Sequence, residues 1–188
     1  MFGMLLLPSS FGQSYGTGEC VDPRDGKIYK TVKIGGRWWM AENLNYATET
    51  GSWVLSDDPN GTQYGRFYDW KTAKTISPAG WHLPSKQEFQ DLLDSIGGND
   101  EELYHHLLTG GKSGFNVLLT GSHREEYGRR GKHASLWSST LWWFSSMLGI
   151  SENPWRLTFG THKGKFYAQI GHGAESECGF NVRCVKND

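Results

Sequence analysis

The feature that most constrains the fold is a fully specified amphipathic helix near the middle of the chain. Ser85 is followed three residues later by Glu88, which is the pattern of a capping box. Apolar residues then recur at helical spacing, and Gly97 ends the run; they are Phe89, Leu92, Leu93 and Ile96. Such a helix has one apolar stripe, so it must pack on another element to bury it.

The other predicted elements are mostly short strands. Alternation over residues 28–34, a Gly35-Gly36 turn and the return over 37–40 predict a β-hairpin. A second amphipathic helix is predicted over 65–76, and a further helical turn or two over 101–108. Additional strands are predicted over 114–121, 136–140, 155–159, 166–170 and 180–185. A hairpin, then helices, then strands indicates an α+β fold with the helices on one side of an antiparallel sheet.

Length and charge narrow the class of protein. The 188 residues suit a single domain, and the 25 glycines fit short strands joined by many loops. The 19 basic and 20 acidic residues nearly balance, which argues against a nucleic-acid partner or an anionic membrane recognised through net charge. Nothing beyond the N-terminus is apolar enough to be an integral membrane segment.

The N-terminus looks like a shortened signal peptide. An apolar run precedes Ser10-x-Gly12, a small-x-small cleavage pattern, although no Lys or Arg comes before the run. We therefore expect residues 1–16 to be a truncated signal peptide or an N-terminal tail, residues 17–188 to form one domain, and the protein to be exported. Export would permit one disulfide among Cys20, Cys178 and Cys184, and the sequence leaves all three pairings open.

The last quarter of the chain, residues 136–184, has the composition of a binding surface. Aromatic, imidazole and charged side chains are interleaved there with glycines, whereas a core strand would be more uniformly apolar. Trp and Tyr provide large rigid contacts at low entropic cost.

Strand alternation divides this stretch into an inward and an outward set. The inward residues are Trp155, Leu157, Phe159, Phe166, Ala168 and Ile170, and Arg156, Thr158, Tyr167 and Gln169 point outward. The predicted ligand-binding residues are Trp142, Trp143, Phe144, Arg156, Thr158, His162, Lys165, Tyr167, Gln169, His172 and Glu175.

Catalysis and metal binding have weaker support. No nucleophile, base and orienting group occur together in a recognisable pattern, and a phosphate loop at residues 110–114 lacks the first glycine. Asp57-Asp58-Pro59-Asn60 and Glu152-Asn153-Pro154 contain calcium-ligand residue types, but Trp155-Arg156-Leu157 carries no second acidic pair. We expect no enzymatic activity, no cofactor and no metal.

Seven sequence blocks, in order between about residues 20 and 187, resemble the Fibrobacter succinogenes major paralogous domain family. The blocks are DGKIYKTVKIG at 25–35, WMAENLNY at 39–46, YGRFY at 64–68, PAGWHLPS at 78–85, SGFN at 113–116, WSST at 137–140 and VRCVK at 182–186. The resemblance implies a secreted or surface-attached protein of Bacteroidetes and relatives. It also implies a loop-rich C-type lectin-like fold of the formylglycine-generating-enzyme branch, with two helices packed on short antiparallel sheets.

In the same fold, variable proteins of diversity-generating retroelements concentrate their hypervariable residues between a Trp-Ser-Ser-like strand and the last strand. Leu141 to Cys178 occupies that place here. The resemblance thus implies a non-catalytic, receptor-type binding protein for a protein or glycan ligand on a cell or phage surface. The alternatives are a surface adhesin or pilus-associated structural subunit, a calcium-dependent sugar-binding lectin, and an enzyme of the formylglycine-generating type. Family members usually place a Cys just before Pro-x-Gly-Trp, where this chain has Ile76-Ser77.

Overall fold

The protein combines a small number of helices with two β-sheets, as the order of predicted elements indicates. The computed structural model describes residues 15–123, 130–143, 147, 152–173 and 178–188. Its elements are β1 (Gly16–Val21), β2 (Ile28–Ile34), β3 (Arg37–Met40), β4 (Ser52–Trp53), β5 (Phe67–Tyr68), α1 (Trp70–Ala73), β6 (Trp81–His82), α2 (Lys86–Ile96), α3 (Asp100–Leu107), β7 (His133–Leu141), β8 (Pro154–His162), β9 (Lys165–Gly171), β10 (Phe180–Asn181) and β11 (Val185–Lys186).

The first sheet has the antiparallel order β1-β2-β3-β11-β6. The predicted hairpin is confirmed, since β2 and β3 pair from Thr31 with Met40 to Ile34 with Arg37. The turn between them uses Gly35 and Gly36, whose φ angles of 60° and 83° favour glycine. Strand β1 was not predicted because its sequence, GTGECV, lacks an apolar alternation; pairing with β2 holds it in place.

The second sheet has the order β4-β5-β10-β7-β8-β9. Strands β7, β8 and β9 form an antiparallel meander, whereas β10 lies parallel to β7. The strand predicted over 180–185 is in fact two strands, because β10 belongs to the second sheet and β11 to the first. Between them Val182, Arg183 and Cys184 are fully buried. The chain therefore passes from one sheet to the other through the interior.

Helix α2 matches the prediction from its cap to its end. The Ser85 hydroxyl accepts a hydrogen bond from the Glu88 amide at 3.2 Å, and the Glu88 carboxylate accepts one from the Ser85 amide at 2.8 Å. The buried face consists of Phe89, Leu92 and Leu93, and the Phe89 ring stacks on Trp39 of the first sheet at 5.8 Å. Among the residues described, no helix is long and apolar enough to cross a membrane.

Two clusters of buried side chains form the core. The first joins α2 and α3 to both sheets and contains Leu157 and Phe159, as strand alternation predicts. The second is built around two indoles, Trp70 and Trp137. The Trp70 indole N–H donates to the Ser138 carbonyl and the Trp137 N–H to the Tyr68 carbonyl, each at 2.7 Å. Both large side chains are thus buried without losing a hydrogen bond.

The helix predicted over 65–76 is confirmed only over Trp70–Ala73, and the strand predicted over 114–121 is wrong. Gly65 has a φ of 71°, and residues 67–68 form strand β5, so the helix α1 begins only at Trp70. Residues 114–121 make only isolated bridges at Val117 and Gly121, since the left-handed backbone of Asn116, with a φ of 57°, interrupts the strand. The helical turns predicted over 101–108 are confirmed as α3.

The three thiols, all within the described residues, are not joined by a disulfide. Cys20 and Cys184 are buried and Cys178 is half-buried. Cys20 lies in β1, and Cys184 adjoins β11, so β2 and β3 separate them within the first sheet. Burial raises the pKa of Cys184 to about 12, which keeps this thiol protonated at neutral pH.

Helix α2 should stabilise the whole domain, because its stripe lies in the first cluster. Ser85→Ala should cost about 1 kcal/mol of unfolding free energy through the lost cap. Leu92→Ala should cost roughly 2–5 kcal/mol through the cavity it leaves. Urea denaturation measures both, with Gln90→Ala on the exposed face of the same helix as the control. A harmless Leu92→Ala would show that the stripe is not packed as described.

Candidate ligand-binding face

The β8–β9 hairpin brings most of the predicted outward residues together on one face. Thr158 pairs with Gln169, Gly160 with Tyr167, and His162 with Lys165. On the opposite face the alternate residues Leu157, Phe159 and Ala168 are buried in the core. The alternation therefore separates a supporting face from a face on which side chains reach solvent.

One open cavity of about 920 Å³ lies at this hairpin, and we call it the hairpin cavity. It is lined by His162, Lys165, Tyr167 and Gln169. Its other wall is the start of α3, with Asn99, Asp100 and Glu101. Gln169 Nε2 donates to Asp100 Oδ2 at 2.6 Å and ties the hairpin to the helix. Four of the residues selected from the sequence thus share a cavity with a helix end that the sequence did not associate with them.

The Tyr167 ring packs over Gly160 of the neighbouring strand, where there is no side chain to displace it. A Cβ on Gly160 would lie 2.5 Å from Tyr167 Oη and 2.8 Å from Cζ, distances that exclude any larger residue without movement of the ring. The ring is therefore supported by strand backbone on one side. A rigid aromatic surface of this kind loses little entropy when a ligand packs on it.

A second group of aromatic side chains lies at the other end of the meander, and we call it the aromatic patch. The Trp142 and His172 rings stack at 4.6 Å with an interplanar angle of 9°, and Trp155 meets His172 edge-on at 4.7 Å. The Lys86 ammonium lies 3.8 Å from the centre of the Trp155 ring, a cation–π contact. Trp155 was predicted to point inward, but it is only half-buried.

Asn153 fixes the loops that carry the aromatic patch. Its carbonyl accepts a hydrogen bond from the Trp142 amide at 2.9 Å, and its Oδ1 accepts one from the Gly173 amide at 2.5 Å. This side chain, considered from the sequence as a calcium ligand, thus joins the residue after β7 to the residues after β9.

The predicted residues do not form a single cluster. The hairpin cavity follows β9 from Lys165 to Gln169, and the aromatic patch begins at His172, just after β9 ends at Gly171. Six residue steps of a strand span roughly 20 Å. Trp143, with 66% of its surface exposed, adjoins the aromatic patch in sequence. Phe144 and Glu175 lie outside the described residues.

Arg156 and Thr158 differ from the prediction that they face solvent. Arg156 is half-buried, with its guanidinium over the Phe180 ring at 5.6 Å and its Nε and Nη1 atoms inaccessible. Thr158 is half-buried, and its hydroxyl lies 3.3 Å from that of Ser135. Alternation gives the correct face for both, but Phe180 of strand β10 lies against Arg156 on that face. No local sequence pattern contains this information.

The acidic stretch around Asp58 stabilises its own loop. The Asp58 carboxylate accepts hydrogen bonds from the amides of Thr62, Gln63 and Tyr64 at 2.9–3.0 Å. Burial raises the pKa of Asp58, but these hydrogen bonds outweigh it, so the pKa lies below its ordinary value of 3.8. Both carboxylate oxygens are therefore occupied by the backbone. Within the described part of the chain, no three His, Cys, Asp or Glu side chains are grouped to hold a metal ion.

A family model described as the Fibrobacter succinogenes major domain matches residues 32–186 of the 188. The match begins inside β2 and ends with β11, so it includes the second sheet, the first sheet without β1, the hairpin cavity and the aromatic patch. No curated protein and no solved structure matches the chain.

The Asp58 carboxylate should contribute stability that depends on pH. Because its pKa is lowered in the folded protein, the contribution is present above pH 3.8 and is lost as the pH falls through the lower folded pKa. Asp58→Asn should reduce the melting temperature at pH 7, and the difference from wild type should shrink below pH 3.8. Asp57→Asn is the matched control, since that exposed carboxylate pairs with the Arg130 side chain instead of with backbone amides of its own loop. Equal effects of the two variants would contradict the role given to Asp58.

Chelation should leave folding unchanged, because two of the side chains weighed for calcium, Asp58 and Asn153, already accept backbone hydrogen bonds. The measurement is the melting temperature with and without EDTA. A fall of several degrees that calcium restores would overturn this expectation and point to Asp57, Asp58 and Glu152.

Proposed function

The chain belongs to the Fibrobacter succinogenes major domain family, and we propose that it is a non-catalytic domain that binds its ligand through the β8–β9 hairpin. The observation that carries the proposal is the hairpin cavity, which is open, about 920 Å³ in volume, and lined by His162, Lys165, Tyr167 and Gln169. Cavities of this size accommodate small ligands or an inserted segment of a larger one.

The chemistry of the cavity favours a polar ligand with many hydroxyl or amide groups. Asp100 and Glu101 supply acceptors, Lys165 supplies a donor, and Tyr167 supplies a rigid aromatic surface. A ligand that also reached the aromatic patch would have to span roughly 20 Å along β9. A protein surface or an oligosaccharide of several units has that length. The proposed ligand is therefore a protein or glycan on a cell or phage surface, and no nucleic acid is implied.

We propose that the fold is C-type lectin-like, of the formylglycine-generating-enzyme branch. The short strands, the loop-rich chain and the placement of β11 beside β3, next to the N-terminal hairpin, support this assignment. Exported localisation and retroelement-driven diversification of residues 141–178 are part of the same proposal. The support for diversification is physical: buried Leu157, Phe159 and Ala168 hold the meander from one side, so exposed residues on the other side can change without loss of the core. The support for export is the apolar run before Ser10-x-Gly12.

The proposal excludes chemistry of the formylglycine-generating type because of the state of the terminal cysteines. Such chemistry needs a reactive thiol pair, and the thiolate is the reactive form. Burial raises the pKa of Cys184 to about 12, and its Sγ lies 3.3 Å from the Ser77 hydroxyl inside the core. Replacing Cys178 and Cys184 should therefore remove no enzymatic activity.

The test is a triple variant of exposed cavity residues, His162→Ser, Lys165→Ser and Gln169→Ala. It should keep a melting temperature close to that of wild type, since exposed substitutions usually stay within about ±0.5 kcal/mol. It should lose binding in a glycan array and in panning against bacterial cells and phage particles. Thr161→Asn with Lys163→Asn, on the same hairpin tip but outside the cavity, is the matched control and should bind like wild type.

Three outcomes would contradict the proposal. Retained binding by the triple variant would place recognition elsewhere. Binding lost instead on substitution of the exposed β1 edge would favour the adhesin or pilus-associated structural subunit. Collapse of the triple variant in the melt would show that the hairpin face is structural.

A further inference from the structure

A second cavity, of about 500 Å³, lies on another part of the molecule and shares no lining residue with the hairpin cavity. We call it the basic cavity. Its walls are the start of β2, residues 41–45 after β3, residues 61–65, and parts of the 109–118 segment. Arg183, in the buried crossing between the sheets, also lines it. The volume lies within the range of small-molecule sites.

The walls of the basic cavity are bonded to each other, so the cavity is formed before any ligand enters. Asn43 Nδ2 donates to the Tyr64 carbonyl at 3.0 Å, and Asn45 Nδ2 donates to the Asn60 carbonyl at 2.9 Å. The Arg66 amide donates to the Leu44 carbonyl at 3.0 Å. A preformed cavity avoids the entropic cost of ordering its walls on binding.

The charge of the lining is predominantly positive. The lining contains three cationic side chains and one carboxylate. The cations are those of Lys27, Lys30 and Arg183, and the carboxylate is that of Glu42. Arg183 is fully buried, and its partners are neutral: Asn43 Oδ1 and the carbonyls of residues 115 and 116. Burial lowers the pKa of Arg183 to about 9, and Glu42 acts weakly in the opposite direction. An uncompensated buried cation favours a negatively charged group nearby.

Two further features belong to the same cavity. Asn116 has a φ of 57°, and this left-handed backbone turns its carbonyl onto Arg183 Nη2 at 2.7 Å. Strained residues of this kind tend to cluster at functional sites. Ile28 is 58% exposed and lies on the lining, so it offers an apolar surface on which a ligand can pack.

We propose that the basic cavity binds a small organic anion in which a carboxylate is attached to an apolar body. The carboxylate would be attracted by Lys30 and by the field of Arg183, and the apolar body would pack on Ile28 and Leu118. Lys27 is less available, since its ammonium donates to the Asn45 carbonyl at 2.5 Å and pairs with Asp25.

The experiment is calorimetric titration of the full chain with 2-naphthoate, compared with the neutral 2-naphthylmethanol. The acid should bind saturably and the alcohol at least about tenfold more weakly, as expected for the loss of a charged hydrogen-bond partner. Lys30→Gln should weaken naphthoate binding by about tenfold. Lys33→Gln, on the same strand outside the cavity, should leave it unchanged.

A second matched pair tests the apolar contact. Ile28 and Val21 pair across β1 and β2 and are 58% and 59% exposed, but only Ile28 lines the cavity. Ile28→Ser should weaken naphthoate binding severalfold, whereas Val21→Ser should not. The triple variant of the hairpin cavity should bind naphthoate like wild type, because the two cavities share no residue.

The proposal is overturned by any of three results. They are the absence of saturable binding up to the solubility limit of 2-naphthoate, equal affinity for the acid and the alcohol, or equal effects within either matched pair. All of these variants are at exposed positions, and a melting curve confirms that each is folded before titration.

Discussion

The buried guanidinium of Arg183 is the interaction on which the arrangement of the loops depends. It donates to Asn43 Oδ1, to the Phe115 carbonyl and to the Asn116 carbonyl, and so joins the segment after β3 to a segment that has no regular secondary structure. A buried polar group without a partner costs about 1–3 kcal/mol, and more when it is charged. The loops must therefore stay where they meet this side chain, or the guanidinium loses its acceptors.

The same crossing aligns the two sheets. Val182 and Cys184 flank Arg183 in the interior, β10 adds to the second sheet, and β11 lies between β3 and β6 in the first. The β7–β9 meander is then held by its neighbour β10 on one side and by α3 along β9 on the other. The hairpin cavity and the aromatic patch are both built on this support.

The elements that could be predicted from the sequence are those specified by local interactions. Helix α2 has its cap, stripe and stop within thirteen residues, and the β2–β3 hairpin has its turn between its strands. The helix predicted over 65–76 is too long because its apolar residues continue at helical spacing into β5, and β5 is formed by pairing with β10, which lies more than a hundred residues away. Periodicity contains no information about such a partner.

The residues of the candidate site also differ in whether local sequence could predict their positions. Alternation correctly placed Tyr167 and Gln169 opposite Ala168, because the period of a strand is local. Lys86 and Asp100 could not be assigned to this face from the sequence. They are the first residues of α2 and α3, and these helices contact the face only in the folded chain. Arg156 was on the right face but lies against Phe180, which belongs to strand β10 and is distant in sequence.

The central position of β11 also bears on when the domain can fold during synthesis. Strands β3 and β6 have no neighbour between them until residues 185–186 are added, although the rest of the first sheet is made from residues 16–82. Arg183, which the loops around Asn43 and Asn116 require, is made just before. The early sheet must therefore wait, incomplete, for the last part of the domain to leave the ribosome. In this topology the completion of the first sheet is therefore one of the last events in the folding of the domain.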